Sequence, residues 1–212
     1  FIDNFYLIDK LQNVLRVDLK SVRQEIVDYL GDDTLLDKLK SKLKHPNVKL
    51  RLFCYRLLED RIAVDDDIIN FALKDKSFEV RVWLVNAIKN LDEARRDNVI
   101  GKLLQDKSAK VKTAVLRNYE NVVCLKFKEM LVRLVADDNA AVRDEARFIC
   151  KKHSIIKDFP EFYRQQIFIN PVPGVLIGLG ETGNKKDYDI VYRLFDHEDP
   201  KIKLAAMIAM WY

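Results

Sequence analysis

A doublet made of an aliphatic residue followed directly by a basic one recurs along the chain at a spacing of about 30 residues, and that period constrains the fold more than any other feature. The doublets are Val22-Arg23, Leu50-Arg51, Val80-Arg81, Val111-Lys112, Val142-Arg143 and Ile202-Lys203, the last separated from its predecessor by twice the usual step. With the aliphatic residue taken as position zero, Leu15, Leu43, Leu73, Leu104, Val135 and Phe195 stand seven residues earlier. Leu11, Leu39, Ile69, Ile100, Leu131 and Val191 stand eleven earlier, and the four-residue offset puts both sets on one helical face. After zero, position four holds Ile26, Cys54, Leu84, Val115, Ala146 and Ala206. Position eight holds Leu30, Leu58, Ile88, Tyr119, Cys150 and Met210, which marks a second helix. Each repeat is thus predicted to be a hairpin of helix A followed by helix B.

The turns Asp75-Lys-Ser77, Asp106-Lys-Ser108 and Asp137-Asp-Asn139 join A to B and offer side chains that can cap helix B. One hairpin leaves its apolar stripe open to water, so neighbours must stack to cover it. The expected fold is all-α, a right-handed α-solenoid or superhelix of about seven antiparallel helix pairs, with A helices outside and B helices lining a concave face. Composition agrees, since 49% hydrophobic residues in 212 supply a core while six Gly and five Pro are too few for a sheet-rich fold.

The strings Leu179-Gly-Glu-Thr-Gly183 and Asp199-Pro-Lys-Ile-Lys-Leu-Ala-Ala206 resemble the HEAT-repeat family of bacterial type, and the resemblance covers nearly the whole chain. It implies a single solenoid domain over residues 1–212, read as a piece of a longer chain because the sequence begins with Phe1. It also implies a job for the basic member of each doublet, which in such repeats reaches the Asp of the turn and ties neighbouring repeats together. Asp75, Asp106 and Asp137 stand at the matching place. His45 and His197 occupy that position in their repeats and read as turn residues, not metal ligands. An irregular repeat is expected at about 154–183, where the doublet is missing, Pro171-Val-Pro-Gly174 interrupts the start of helix B, and Tyr163, Arg164 and Phe168 stand nearby.

HEAT proteins include scaffolds, adaptors and a few enzymes, so function has to be argued from residues. Positions two, five, six and nine of helix B lie opposite the stripe and are predicted to face the ligand. The candidate partner-binding residues are Tyr55, Arg56, Asn86, Lys89, Arg117, Glu120, Asp144, Arg147, Phe148 and Lys151, with Trp83 close by. With Asp28 and Glu59, which share these positions, the face carries five basic residues (Arg56, Lys89, Arg117, Arg147 and Lys151) and four acidic ones, a mixture with a slight basic excess, and the net charge is only +4. A phosphate-binding face carries a clear positive stripe, whereas mixed charges with aromatics suit a protein or peptide. The expected function is a non-catalytic scaffold or adaptor, with a nucleic-acid-binding protein, which extends to a DNA-glycosylase type with Asp144 as its carboxylate, as the alternative.

Other enzyme readings lack their residues. The HEAT-built hydroxylases hold a diiron centre through repeated His-Glu dipeptides, and His197-Glu198 stands alone here among three histidines. Phycobilin lyases of HEAT type offer no short signature to compare. No phosphate loop, nucleophile triad or metal spacing is present, so no catalytic residue, metal or cofactor is expected. Cys54, Cys124 and Cys150 are read as buried thiols in a reducing, cytoplasmic setting. No stretch approaches the ~18 apolar residues of a membrane span, and no signal peptide opens the chain. The last helix, Ile202 to Tyr212, is apolar nearly all round, which predicts a second interface through Met207 and Trp211, against further repeats, another domain or another copy.

Overall fold

The computed structural model describes residues 39–61 and 65–212, so the first doublet, Val22-Arg23, and its repeat lie outside the described residues. The described residues form helices joined by turns, with no strand among them. Packing divides it into two compact units, Phe1–Leu103 and Leu104–Tyr212, where the sequence reads as one domain.

In the first unit a helical turn at 39–42 is followed by α1 (Val48–Arg61), α2 (Asp66–Leu73), α3 (Phe78–Ala87), a 3-10 turn (Ile88–Asn90) and α4 (Glu93–Leu103). Helix α3 packs on α1, α2 and α4. Asp65 starts α2 by accepting from the Ile68 amide, and Ser77 starts α3 by accepting from the Glu79 amide, which satisfies amides the helices leave unpaired. Leu50, Cys54, Leu58, Val80, Leu84 and Ile88, the zero, four and eight positions of two repeats, are all buried.

The second unit contains α5 (Ala109–Asn118), α6 (Glu120–Lys126), α7 (Lys128–Leu134), α8 (Ala140–Lys152), α9 (Phe159–Ile169), α10 (Pro173–Thr182), a 3-10 turn (Lys185–Asp187), α11 (Tyr188–Tyr192) and α12 (Pro200–Trp211). Helix α8 packs on α5 and α7, while α10 lies between α9 and α12. Asn139 caps α8, but Ser108 makes no side-chain bond at the start of α5. Cys54 and Cys150 are buried as expected, and burial pushes both thiols up to about 12. Cys124 departs from the expectation, being only partly buried, because it lies on the seven-residue α6, whose one buried residue is Val123.

The basic residue of the doublet makes a ladder. Arg51 grips both carboxylate oxygens of Asp75 at 2.7 Å and donates to the carbonyls of His45 and Pro46. Lys112 pairs with Asp137, and Arg143 donates to the carbonyls of Asp137 and Asp138. His45 and His197 do behave as turn residues: each accepts through Nδ1 from the amide two residues on, as Asp75, Asp106 and Asp137 do through a carboxylate oxygen.

The irregular repeat is tightly packed. Its place for a turn Asp, three residues before the start of α10, is taken by Asn170, and Arg143 pairs instead with Glu181 on α10. Pro173 sits at the first turn of α10, where its missing N–H costs nothing. Tyr163, fully buried, donates its hydroxyl to the Val135 carbonyl at 2.7 Å and lays its ring against Gly178. Arg164 pairs with Asp187 and Glu161, while Phe168 is exposed.

Two of these carboxylates predict acid sensitivity. Burial pushes Glu181 up, but hydrogen bonds from Arg143 and Arg147 outweigh it and hold it below the usual range. Asp187 is held low chiefly by Arg164, against burial. Both bind protons less readily folded than unfolded, so their stabilisation is complete above the unfolded carboxylate range and is lost as pH falls through the lowered values. Melting temperatures followed by circular dichroism are expected to hold steady above about pH 5 and to fall below about pH 4. The fall is expected to be shallower in Arg143→Met, which lacks one of the cations responsible.

Candidate interaction surface

Helix B presents a narrower open face than its apolar stripe suggests. Position five faces the core with positions zero, four and eight: Tyr55, Val85 and Leu116 are all 0% exposed. A B helix touches more than its own A helix, as α8 touches α5, α6 and α7, so a wide arc of it is covered. Position six is open in each repeat, at Arg56, Asn86, Arg117 and Phe148.

Two expected contact residues are corrected by this phase. Tyr55 is an internal aromatic: its ring lies 4.7 Å from that of Trp83, and its buried hydroxyl has no partner among the described residues. Burial raises its pKa. Trp83 is buried as well and donates its indole N–H to Glu59 at 2.7 Å. Arg147 has a side chain only 12% exposed and spends its guanidinium on Glu181, the Tyr163 hydroxyl and Asp144. It is a strut of the irregular repeat, which its sequence position beside Phe148 did not reveal. Burial opposes its charge, and the Glu181 hydrogen bond more than restores it.

The other candidates reach the surface. Arg56, Asn86 and Lys89 are exposed on the first unit. On the second, Arg117, Asp144, Phe148 and Lys151 are exposed and Glu120 is half-buried. Three of these converge: Arg117 on α5 and Asp144 and Phe148 on α8, with Ala141 and Glu145, line an open depression of about 410 Å³. Phe148 is 59% exposed there, a large apolar surface left to water.

The charges around it are mutually neutralised. Arg117 meets Glu145 at 2.7 Å, Asp144 meets Arg147, and Lys152 meets Glu120 at 2.9 Å while standing 6.0 Å from the centre of the Phe148 ring. Exposed pairs of this kind contribute little to stability, so a partner can rearrange them at small cost. No family model and no curated protein matches the chain. Among the described residues no cluster of His, Cys, Asp and Glu could hold a metal ion, and no helix is long and apolar enough to cross a membrane.

At the C-terminal end, α12 buries Ile202, Ala205, Ala206 and Ala209 and exposes Leu204, Met207, Ile208 and Trp211. Met207 is 54% and Trp211 91% exposed. Glu145 and Glu181, the carboxylate partners of Arg117 and Arg147, were missed as site residues. Both contribute through contacts between helices a repeat or more apart in sequence.

Proposed function

We propose that the chain is a HEAT-type α-solenoid that serves as a non-catalytic scaffold, holding a protein or peptide on its B-helix face around Phe148. The observation that carries this reading is the exposed Phe148 ring in the α5–α8 depression, ringed by cations that already have carboxylates. An aromatic anchor within a polar rim is the usual anatomy of a protein interface. A phosphate backbone gains most from unpaired cations, so the neutralised pairs argue against nucleic acid. Asp144, 68% exposed and held by Arg147, is an ordinary surface ion pair rather than the sequestered carboxylate a glycosylase-like reaction needs. The recurrence of the ladder and of buried positions zero and four supports the stacked-repeat architecture. The free thiols support a reducing, cytoplasmic setting, and Met207 and Trp211 form the second face.

The test is affinity capture with and without nuclease, comparing the wild-type chain with Phe148→Asp, Lys151→Glu. Both substitutions lie on exposed positions and leave the Arg147 strut intact. A defined protein that survives nuclease and is lost at least about tenfold in the variant supports the scaffold, because one buried aromatic anchor is worth roughly 2 kcal/mol. Material that disappears with nuclease sinks it.

A further inference from the structure

Cys124 and Glu120, one helical turn apart on α6, meet His153 at the end of α8, although it stands 29 and 33 residues away from them in sequence and the three belong to no motif. The Cys124 Sγ lies 3.6 Å from Nδ1 of His153, and Nε2 of the same ring lies 2.7 Å from Oε1 of Glu120. Glu120 can only accept, so Nε2 carries the proton and Nδ1 is left as an acceptor facing the thiol. The ring is fixed at the end of α8: His153 is its C-cap, Ser154 turns left-handed (φ 53), and the Ile155 amide donates to the Cys150 carbonyl at 2.8 Å. Lys152 also binds Glu120, and these two hydrogen bonds hold its carboxyl below the usual range, so it is ionised at neutral pH. The thiol has one other acceptor, the Asn121 carbonyl at 3.3 Å.

We propose that this triad makes Cys124 a reactive thiol that undergoes exchange with small disulfides. The thiol passes its proton to Nδ1 of His153, whose other nitrogen is held by Glu120. The thiolate attacks one sulfur of the disulfide; a bond forms between Cys124 Sγ and that sulfur as the reagent's own S–S bond breaks. The reagent's other sulfur departs as a thiolate, and His153 gives the proton to it or, where that thiolate is too weak a base, to solvent, so a protein thiol and a disulfide become a mixed disulfide and a released thiol or thiolate. Exchange requires a thiolate, a proton store and access, whereas acyl transfer also requires donors for an oxyanion. Cys124 is partly open to solvent, while Cys54 and Cys150 are both 0% exposed. Reaction is therefore confined to one of the three cysteines.

The experiment treats the full native chain with an anionic aromatic disulfide, dithiobis-nitrobenzoate, and follows the coloured thiolate released. A single fast equivalent is expected, absent in Cys124→Ser, with the remaining thiols reacting only after denaturation. In His153→Ala the rate is expected to fall at least ~10-fold and to be restored by added imidazole, which a purely structural role does not produce. His153→Gln, closer in size, repeats the loss should the alanine variant be poorly folded. In Glu120→Gln the ¹⁵N shifts of the His153 ring are expected to lose the signature of a fixed Nε2 proton. Three thiols of equal rate, or a His153→Gln chain as fast as wild type and folded like it, overturns the proposal.

Discussion

Replacing Arg143 with Met is expected to lower stability by about 3–5 kcal/mol, the loss that follows when one partner of a buried ion pair is removed. Its side chain is 2% exposed and the guanidinium serves two purposes at once. Nε and Nη2 hold the Glu181 carboxylate on α10, and Nη1 donates to the Asp137 and Asp138 carbonyls of the turn before α8. Methionine fills much of the volume but leaves Glu181 with Arg147 alone and both carbonyls without this donor. Arg143→Lys keeps the charge without the planar fork and should fall between the two. Urea unfolding resolves the series, since a midpoint that moves at constant slope reports stability itself. A methionine variant within about 1 kcal/mol of wild type would show that hydrophobic filling offsets the lost ion pair, as it does where both charged partners are replaced.

The second large effect is expected from Gly174→Ala. A Cβ there would stand 2.0 Å from the Ala136 carbonyl oxygen and 2.7 Å from that of Asp137, both backbone atoms that cannot swing aside. Helix α10 must move away from the turn before α8, which loosens the ring of Tyr163 over Gly178 and the Glu181 pair. Overpacking commonly costs 1–3 kcal/mol, and contact with rigid backbone puts this site near or above the top, at about 3. Alanine's better helix propensity returns up to about 1 kcal/mol, so a drop in melting temperature of roughly 5–10 °C is expected. An unchanged melting temperature would mean that α10 does not approach the turn this closely.

The hairpin register was legible because burial acts on every repeat alike. Leu50, Val80, Val111, Val142 and Ile202, all at position zero, are at most 5% exposed, as a stripe read from spacing demands. Tyr55 and Arg147 were misplaced for a different reason. Periodicity shows which side of a helix is apolar but not how many neighbours cover it, and a helix such as α8, flanked on several sides, buries position five too. Arg147 tolerates that position only because Glu181 and Tyr163 meet it there, and both come from a repeat that lacks the doublet. Phe148, one residue further round, stays exposed as read. The Cys124–His153 contact was invisible as a motif, yet the two are 29 residues apart, close to one period. Residues a period apart become spatial neighbours in stacked repeats, and a search at that offset would have paired them.

The ladder also bears on how such a chain can change over generations. In each rung described, the cation belongs to one repeat and its carboxylate to the next: Arg51 with Asp75, Lys112 with Asp137, Arg143 with Glu181. Copying a whole repeat reproduces both halves of the joint, so duplication preserves every rung, whereas swapping a lone repeat strands a charge on either side. The junction before His197 shows the joint retired as a unit. The turn there has an imidazole where its counterparts have a carboxylate, and the preceding helix α10, which starts at Pro173, has the apolar Leu176 as its fourth residue where its counterparts carry Arg or Lys. The apolar glycine-lined contact of α10 with α12 takes over at that junction, with Gly180 against the Ala209 backbone. A lineage that lost one charge of the pair could thus keep its fold by losing the other.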